Sequence, residues 1–198
     1  MNMPSASDPF ALFESWFAEA EAQEPRDANA MILATADARG RPSARAVLLK
    51  AWDARGFVFY TNLDSRKGRE LAANPQAALL FYWKSLSRQI RIEGETSLVD
   101  DAEADAYFAT RPRESQLAAW ASHQSEVMPE GRASFERALA EVTARFEGRE
   151  VPRPPRWSGY RLAPDSFEFW REEPFRMHDR QVFARQADGG WEIRYLYP

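Results

Sequence analysis

Two stretches of the sequence place pairs of basic residues where they could bind a phosphate group. The stretch RAVLLK carries Arg45 and Lys50 at the two ends of an apolar run. The stretch SRKGREL places Arg66 and Lys67 in the first turn of a short predicted helix. Cations in that turn oppose the helix dipole at a cost of roughly 0.3–1 kcal/mol each, which a phosphate at the helix N-terminus would remove. The alternative is that both are solvated side chains whose charges are screened.

A third stretch, YFATRPRESQ, could hold a second phosphate group. Tyr107 and Arg111 are four residues apart, so a helix would place them on one face. Pro112 interrupts that helix, and Ser115 follows near the start of the next one. A phenol, a guanidinium and a hydroxyl at a helix N-terminus can together bind a phosphate group. Taken alone, the stretch favours an ordinary helix–turn–helix with exposed polar residues.

The stretch FRMHDR near the C-terminus brings three potentially cationic side chains together. Arg176, His178 and Arg180 alternate with other residues, so they share one face if the stretch is a strand. Neighbouring cations repel one another unless an anionic or electron-rich group, or water, compensates them. We therefore predict that they face a ligand. The alternative is a solvated strand face.

The other histidine of the chain, His123, lies in the stretch WASHQSE, and we interpret it as a loop or surface residue. Gln124 and Ser125 beside it could hydrogen-bond a polar ligand. The chain has two histidines and no cysteine, so we predict no metal site. Without cysteine, any redox chemistry must come from a bound cofactor.

The composition narrows the class of protein. The chain has 198 residues, 44% of them hydrophobic, and a net charge of −4, so we predict one globular domain over 1–198 rather than a nucleic-acid binder. No apolar run reaches the ~20 residues needed to cross a bilayer, and the N-terminus lacks a signal-peptide pattern. We therefore expect a cytoplasmic protein with no membrane association.

The elements that must position these residues are short strands joined by tight turns, with helices inserted late. Residues 1–26 read as an N-terminal tail and a helix beginning at Asp8-Pro9. Residues 100–148 read as a helical insertion interrupted near Pro112 and Pro129. The predicted strands are 31–37, 43–52, 56–62, 77–83, 88–99, 159–164, 166–170 with 175–185, and 191–198.

This order of elements predicts a β-rich (α+β) fold, an antiparallel barrel with helical additions. The chain shows no strand–helix alternation and no G-x-G-x-x-G motif, so a Rossmann domain is improbable. On its residues alone, the sequence predicts a soluble domain that binds one or two phosphate-bearing small molecules.

The same stretches, taken in order, resemble the pyridoxine/pyridoxamine 5'-phosphate oxidase family. The resemblance runs from about Asp27 to the C-terminus and rests on RAVLLK, FYTN, SRK, SRQIRIEG, YFATRPRESQ, AWAS-x-QS, EFW and FR-x-HDR. Several such blocks in the right order are more specific than any one of them. The resemblance implies an antiparallel split β-barrel with peripheral helices, of the FMN-binding type. It also implies a homodimer with FMN held between the subunits.

The resemblance assigns cofactor and substrate residues position by position. Among the FMN residues, Gln89 would contact the flavin ring, and Gln124, Ser125, Trp170 and Arg180 would reach the site from the partner subunit. The remaining FMN residues would bind mainly the phosphate and ribityl chain; they are Arg45, Ala46, Val47, Leu48, Leu49, Lys50, Tyr60, Thr61, Arg66 and Lys67.

The substrate residues implied by the resemblance fall into two sets. Those for the substrate phosphate are Lys50, Tyr107, Arg111 and Ser115. The catalytic pair, Arg176 and His178, would embrace the substrate ring above the flavin. A guanidinium stays protonated at neutral pH, so Arg176 would position the substrate and stabilise charge rather than act as a base. His178 would be a hydrogen-bond partner or a proton relay.

The implied reaction is oxidation of pyridoxine or pyridoxamine 5'-phosphate to pyridoxal 5'-phosphate, in vitamin B6 biosynthesis and salvage. Molecular oxygen would accept the electrons and give hydrogen peroxide, and the amine substrate would release ammonia. Two alternatives are a split-barrel flavin reductase and a non-enzymatic protein that binds pyridoxal phosphate or flavin. A complete set of substrate-phosphate residues disfavours the reductase.

The chain departs from the family pattern in three places. The N-terminal MNMPSASDPF lacks the Arg and Tyr pair that forms a lid in some relatives. Tyr195 replaces an arginine near the C-terminus, and Glu172 and Glu173 replace smaller residues before FR-x-HDR. These departures leave the preference between the two substrates open.

Overall fold

Nine antiparallel strands form one curled sheet, and helices cover its end and one side. The computed structural model describes residues 7–198; residues 1–6, which carry most of the departing N-terminal stretch, lie outside the described part. The strands are β1 (Ala30–Ala36), β2 (Pro42–Leu48), β3 (Ala51–Asp53), β4 (Gly56–Asn62), β5 (Gln76–Trp83), β6 (Arg88–Leu98), β7 (Trp157–Arg171), β8 (Asp179–Arg185) and β9 (Trp191–Tyr195). The helices are α1 (Pro9–Gln23), α2 (Arg66–Ala73), α3 (Asp101–Ala109), α4 (Arg113–Ala121) and α5 (Arg132–Arg145).

The sheet divides at β7, which changes partner halfway along its length. The strand order is β2-β1-β5-β6-β7-β4-β3, and β8 and β9 branch from β7. The first half of β7 pairs with β4 and the second half with β8, while β6 pairs along nearly all of it. The register shifts between Glu93 and Gly94, where a Cβ would come within 2.0 Å of the Ala163 carbonyl oxygen. A shift of register of this kind bends the strand locally and increases its twist, which suits a curled sheet.

The barrel end is closed by α1, as its apolar spacing predicts. The Asp8 carboxylate caps the helix by accepting a hydrogen bond from the Phe10 N–H at 3.0 Å. Phe13, Trp16 and Phe17 repeat at helical spacing and are buried in the main core. The Phe13 ring meets the Phe57, Phe81 and Trp52 rings edge to face. Burial of each such ring contributes about 1.5–3 kcal/mol.

The predicted strand 43–52 is interrupted, and the interruption matters for the site. The Leu49 N–H donates to the Asn29 carbonyl at 2.8 Å, and the Lys50 N–H donates to the Val58 carbonyl at 2.9 Å. The chain therefore passes at this point from the β1 side of the sheet to the β4 side. Arg45 and Lys50 lie on opposite sides of this crossing.

The prediction that FRMHDR is a strand is wrong for its first four residues. Residues Pro174–Arg176 form a 3-10 turn, in which Phe175 and Arg176 have φ values of 59° and 64°. Two consecutive left-handed residues after a proline cannot continue an extended backbone. Strand β8 begins only at Asp179, so alternation does not place Arg176 and His178 on one face with Arg180.

The helical insertion has its own smaller core. Pro112 precedes α4 and Pro129 precedes α5, as the sequence predicts. The buried residues of this core are Phe108, Leu117, Phe146, Val151 and Trp157, with Leu139 and Val142 of α5 packed against them. No helix within residues 7–198 is both long and apolar enough to span a bilayer.

Candidate functional site

A cavity of about 770 Å³ opens between β2, β4, α2 and the α3–α4 region. Its size is in the usual range for small-molecule sites. Five lining residues are cations, and none of the described residues that line it is an aspartate or a glutamate. The lining residues are Ser43, Ala44, Arg45, Ala46, Val47, Leu48, Lys50, Tyr60, Thr61, Asn62, Arg66, Lys67, Tyr107, Arg111, Ser115, Ala118, Ala119, Ser122, Gln124, Ser125 and Trp157.

At one part of the cavity, α2 presents its N-terminus. Ser65 caps this helix, with its hydroxyl accepting from the Gly68 N–H at 3.3 Å. Lys67 is buried and donates from Nζ to Thr61 Oγ1 at 3.0 Å and to Gln124 Oε1 at 3.2 Å. Burial, and then the nearby charge of Arg45, lower the pKa of Lys67 to about 8. An anion in the cavity would compensate this poorly solvated ammonium group.

The arginines beside Lys67 are held from behind by Glu70, which does not line the cavity. Arg66 Nε donates to Glu70 Oε1 at 2.8 Å, and Arg45 Nη2 donates to Glu70 Oε2 at 3.2 Å. Burial works to raise the pKa of Glu70, but hydrogen bonds from Ser43, Thr35 and Arg66 outweigh it and hold that pKa at about 2. Glu70 is therefore a carboxylate at neutral pH.

An aromatic stack forms another wall of the cavity. The Tyr60 ring stacks on the Tyr107 ring at 4.1 Å between centroids and on the Trp157 ring at 5.1 Å. Arg111 Cζ lies 4.8 Å from the centre of the Trp157 ring. Burial raises the pKa of Tyr60 to about 12, with Glu103 as the next contribution, so Tyr60 remains a neutral phenol.

Arg111 carries the clearest sign of a missing partner. Its Nη1 atom is buried and makes no hydrogen bond to any described residue. Burial lowers the pKa of Arg111, although a guanidinium remains charged at neutral pH. Ser115 lies in the first turn of α4, whose N-terminus has no side-chain cap. These groups suit an anion that accepts hydrogen bonds.

A second set of predicted residues lies away from the cavity, on the outer face of the sheet. Gln89, Trp170 and Arg180 are direct cross-strand neighbours on β6, β7 and β8. The His178 ring lies 4.7 Å from the Trp170 ring. With exposed Arg176, these residues are called the outer-face group below.

Hydrogen bonds fix two members of the outer-face group. His178 Nδ1 accepts from the Glu173 N–H at 3.2 Å, so the neutral ring carries its proton on Nε2. Arg180 Nε donates to Glu168 Oε1 at 2.6 Å, and its Nη1 donates to the Tyr197 carbonyl at 3.1 Å. Of the departures from the family pattern, Glu173 also pairs with Arg171, and Tyr195 is 71% exposed.

The structure thus divides the predicted site residues between two places. The cavity brings together the cations of the stretches RAVLLK, SRKGREL and YFATRPRESQ. Leu49 does not line it, because its side chain packs in the main core. Gln124 bonds to Lys67 within one protomer, and Gln124 and Ser125 line the cavity of their own chain. Their contact with FMN from the partner subunit stays a prediction. Gln89, Trp170, Arg176, His178 and Arg180 do not line the cavity.

Sequence reasoning missed several residues of the cavity and its wall. Trp157 belongs to a stretch that reads as a proline-stiffened linker, yet it completes the aromatic stack. Asn62 donates from Nδ2 to the Ser122 carbonyl at 3.2 Å and so ties β4 to the loop after α4. Glu70 lies four residues after Arg66. On a helix this spacing predicts an ion pair, and it was the feature of the sequence that could have identified Glu70.

His123 is exposed and lies in the loop after α4, as predicted, with Nδ1 3.9 Å from Glu126. No group of three or more His, Cys, Asp or Glu side chains within residues 7–198 is arranged to hold a metal ion.

A split barrel whose described cavity lining is rich in cations and has no carboxylate suits small molecules that carry a phosphate group. Comparison with solved structures supports the fold. The crystal structure of PhzG from Burkholderia lata 383, in complex with tetrahydrophenazine-1-carboxylic acid, matches with a TM-score of 0.92 at 35% identity, over 100% of this chain and 98% of that one. A pyridoxamine 5'-phosphate oxidase-related, FMN binding protein from Nostoc punctiforme matches with a TM-score of 0.76 at 18% identity over the whole of both chains.

Sequence comparison gives the family. Residues 17–146 match the pyridoxamine 5'-phosphate oxidase family, and residues 157–198 match the pyridoxine 5'-phosphate oxidase C-terminal dimerisation region. The pyridoxine/pyridoxamine 5'-phosphate oxidase of Sphingopyxis alaskensis is 62% identical over 100% of this chain and 91% of its own length. The chain therefore belongs to the pyridoxamine 5'-phosphate oxidase family and is an oxidoreductase. The resemblance seen in the sequence is confirmed.

Proposed function

We propose that this protein oxidises pyridoxine 5'-phosphate and pyridoxamine 5'-phosphate to pyridoxal 5'-phosphate, with FMN as cofactor and molecular oxygen as electron acceptor. The observation that carries the proposal is a cavity with five cations and no lining carboxylate, in a chain of this family. Cofactor and substrate each carry a phosphate group. The cavity cations come from separate stretches of the chain, so that different stretches could bind the two phosphate groups.

The residues around Lys67 fit the phosphate of FMN. Lys67 and Arg66 project from the first turn of α2, and Gln124 and Thr61 join Lys67. Their donors would bind the phosphate, and the backbone from Arg45 in β2 to Lys50 beyond its end would lie along the ribityl chain. When bound, FMN supplies the hydride acceptor and passes the electrons on to oxygen.

The residues around Arg111 fit the phosphate of the substrate. Lys50, Tyr107, Arg111 and Ser115 all line the cavity. The buried Nη1 of Arg111 would gain its missing hydrogen-bond acceptor. Fixing the phosphate in this way holds the substrate in one orientation, and orientation lowers the barrier to hydride transfer.

The outer-face group would act across a subunit boundary. The C-terminal dimerisation region begins at Trp157 and so includes most of the group, and exposed apolar residues surround it: Phe175, Met177, Tyr195 and Tyr197. A homodimer would bury these side chains and bring Gln89, Trp170 and Arg180 of the partner subunit to the flavin. Arg176 and His178 would then lie over the substrate ring.

The roles of the catalytic pair follow from their chemistry. Arg176 keeps its proton and stabilises negative charge on the ring, because a guanidinium does not titrate near neutral pH. The His178 ring is held through Nδ1, so its Nε2–H can donate to the substrate.

The overall reaction balances. Pyridoxine 5'-phosphate and oxygen give pyridoxal 5'-phosphate and hydrogen peroxide; with pyridoxamine 5'-phosphate, one water is also consumed and ammonia is released. In this reaction the protein serves vitamin B6 biosynthesis and salvage. We place it in the cytoplasm and treat 1–198 as one domain, as the sequence predicts.

An anaerobic titration tests the proposal. The purified protein, loaded with FMN, should show a flavin absorbance spectrum that bleaches on addition of pyridoxamine 5'-phosphate and returns with air. Absence of FMN binding would refute it. Bleaching by NAD(P)H but not by the B6 substrates would favour a flavin reductase, and tight binding of pyridoxal phosphate without peroxide would favour a carrier.

A second candidate substrate class comes from the similarity to PhzG at 35% identity. A tricyclic aromatic acid needs no phosphate site, whereas Lys50, Tyr107, Arg111 and Ser115 would form one here. Oxidation of tetrahydrophenazine-1-carboxylic acid faster than of pyridoxamine 5'-phosphate would favour this candidate.

A further inference from the structure

Glu70 is a buried acid beside a cavity that we expect to bind anions. It is 5% exposed and lies on α2, behind the wall formed by Ser43, Arg45 and Arg66. A carboxylate near a phosphate site repels the ligand, so its presence needs a physical reason.

The hydrogen bonds of Glu70 show what it does to each arginine. Its Oε2 atom accepts from Thr35 Oγ1 at 2.5 Å, from Ser43 Oγ at 2.6 Å and from Arg45 Nη2. Arg45 Nη1 meanwhile donates to the Leu33 carbonyl at 3.1 Å and to Thr35 Oγ1 at 2.6 Å. Both terminal nitrogen atoms of Arg45 are thus engaged within the wall, and Arg45 acts mainly as a fixed positive charge.

Arg66 is held differently. Only its Nε meets Glu70 Oε1, at 2.8 Å, and the side chain is 54% exposed. This contact leaves the two terminal nitrogen atoms of Arg66 available to an anion in the cavity. Without the contact, a half-exposed arginine would sample many rotamers, which an anion would have to restrict on binding.

The charges also match a phosphate monoester. Arg45, Arg66 and Lys67 carry three positive charges, and Glu70 subtracts one. The remaining two balance a phosphate monoester, whose charge near pH 7 is about −1.5 to −2.

We infer that Glu70 is a positioning residue for the cofactor phosphate: it fixes Arg45 as a charge in the cavity wall and turns Arg66 toward the ligand. The inference rests on the proposed function, in which FMN occupies this part of the cavity. Glu70 acts through the two arginines and does not touch the ligand itself.

The test compares FMN with riboflavin, which lacks the phosphate. The dissociation constants of both for the apoprotein are measured by flavin fluorescence quenching in wild type and in Glu70→Gln. We expect the preference for FMN over riboflavin to fall roughly tenfold, with riboflavin affinity unchanged within about twofold. If Glu70 acted only as a repelling charge, the preference would rise; a rise or no change overturns the inference.

The chain offers a matched control. Arg132 and Glu136 on α5 form the same kind of pair, Nε to Oε1 at 2.9 Å and four residues apart, but exposed and outside the cavity. Glu136→Gln should leave the preference for FMN unchanged. In an Arg66→Met background, Glu70→Gln should have a smaller effect than in wild type, because the two residues act together.

Two further outcomes are distinguishable. If Glu70→Gln does not fold, Glu70→Asp replaces it in the test. Its side chain keeps the charge but is too short to hold both arginines, so the preference for FMN over riboflavin should still fall. Loss of folding in both variants would assign Glu70 to structure alone and overturn the inference. If wild type does not bind FMN, the proposed function fails, and thermal stabilisation by inorganic phosphate then tests Glu70, with a smaller stabilisation expected in Glu70→Gln.

Discussion

The cavity and the outer-face group differ in how complete they are within one protomer. The cavity is partly open to solvent. Neighbouring residues hold three of its cations, Arg45, Arg66 and Lys67, and Gln124 of the same chain accepts a hydrogen bond from Lys67 Nζ. The outer-face group lies on the open side of the sheet among exposed apolar residues such as Phe175, which is 91% exposed. One chain therefore lines the cavity with groups that suit an anion, whereas we expect the outer-face group to need a second surface to become a site.

The cavity wall and the outer face nevertheless have one arrangement in common: in each, a buried carboxylate pairs with two arginines. In the cavity wall, Glu70 holds Arg45 and Arg66. On the outer face, Glu168 is 3% exposed and meets Arg180 Nε at 2.6 Å and Arg91 Nη2 at 2.7 Å. A carboxylate that is buried and paired fixes the direction of a long flexible cation, so that less entropy is lost when a ligand binds.

The largest effect is expected at Arg111, in the cavity. Arg111→Ala should lower kcat/KM for pyridoxamine 5'-phosphate roughly a hundredfold, because a buried charge-assisted contact to the substrate phosphate is lost. The affinity for FMN should stay within about twofold of wild type. Steady-state oxygen consumption and fluorescence titration measure the two quantities. Arg132→Ala, on the exposed face of α5, is the control, and equal losses of substrate and FMN binding would contradict the assignment.

The comparison between the two places can be tested directly with mixed dimers. Lys67→Met damages the cavity and Arg180→Ala damages the outer face, so each homodimer should be poorly active. After subunit exchange, half of the dimers are mixed, and each mixed dimer holds one intact site of two. Activity should therefore recover to roughly a quarter of the wild-type value. No recovery would show that the two places do not combine across a dimer.

The buried Lys67 makes cofactor binding depend on pH. Its pKa in the folded protein is lowered to about 8, so below pH 8 it is charged and ready for a phosphate. Above that value the amine is neutral and must take up a proton on binding, so FMN affinity should fall by up to about tenfold per pH unit. The same shift means that stability of the apoprotein should rise as pH passes from 8 towards the ordinary lysine value. Titrations between pH 6.5 and 9.5 measure the affinity, and Lys67→Met should remove this dependence.

The smallest effect is expected at Glu168. Glu168→Gln should weaken FMN binding only about threefold, because Arg180 keeps its bond to the Tyr197 carbonyl. The control is Glu93→Gln, which removes the other carboxylate beside Arg91, at 3.0 Å, and should leave FMN binding unchanged. A loss as large as that expected for Glu70→Gln would mean that the outer face is as preorganised as the cavity.

Much of the fold was predictable because local rules and the tertiary structure agree. The sequence shows both the cap and the apolar face of the helix starting at Asp8-Pro9. In the structure, Asp8 caps this helix and its apolar face is buried. The breaks at Pro112 and Pro129 follow from the missing N–H of proline. The FRMHDR stretch was not predictable, because alternation is informative only where the backbone is extended, and Phe175 and Arg176 are left-handed.

The residue types of the candidate site were predictable from the sequence, but the complete set of residues that line one cavity was not. Arg66 and Lys67 in the first turn of α2 led to the prediction of a bound anion, since their charges oppose the helix dipole. The family resemblance predicted the site residues and assigned Gln124 and Ser125 to the partner subunit's site, whereas both line the cavity of their own chain. Their position depends on how the loop after α4 folds back over Lys67, and no local pattern encodes that contact.

The sequence by itself indicated most of the elements, the family and the types of residue predicted to meet a phosphate, because propensity, periodicity and charge are local properties. Only the tertiary structure decided which of those residues line the same cavity. The pairing of β7 with β6 and β8 places Gln89, Trp170 and Arg180 side by side on the outer face, while the crossing after β2 brings Arg45 and Lys50 to the cavity. These placements depend on pairings between strands far apart in the chain, and so the buried Glu70 and Glu168 acquire their roles only once the sheet has formed.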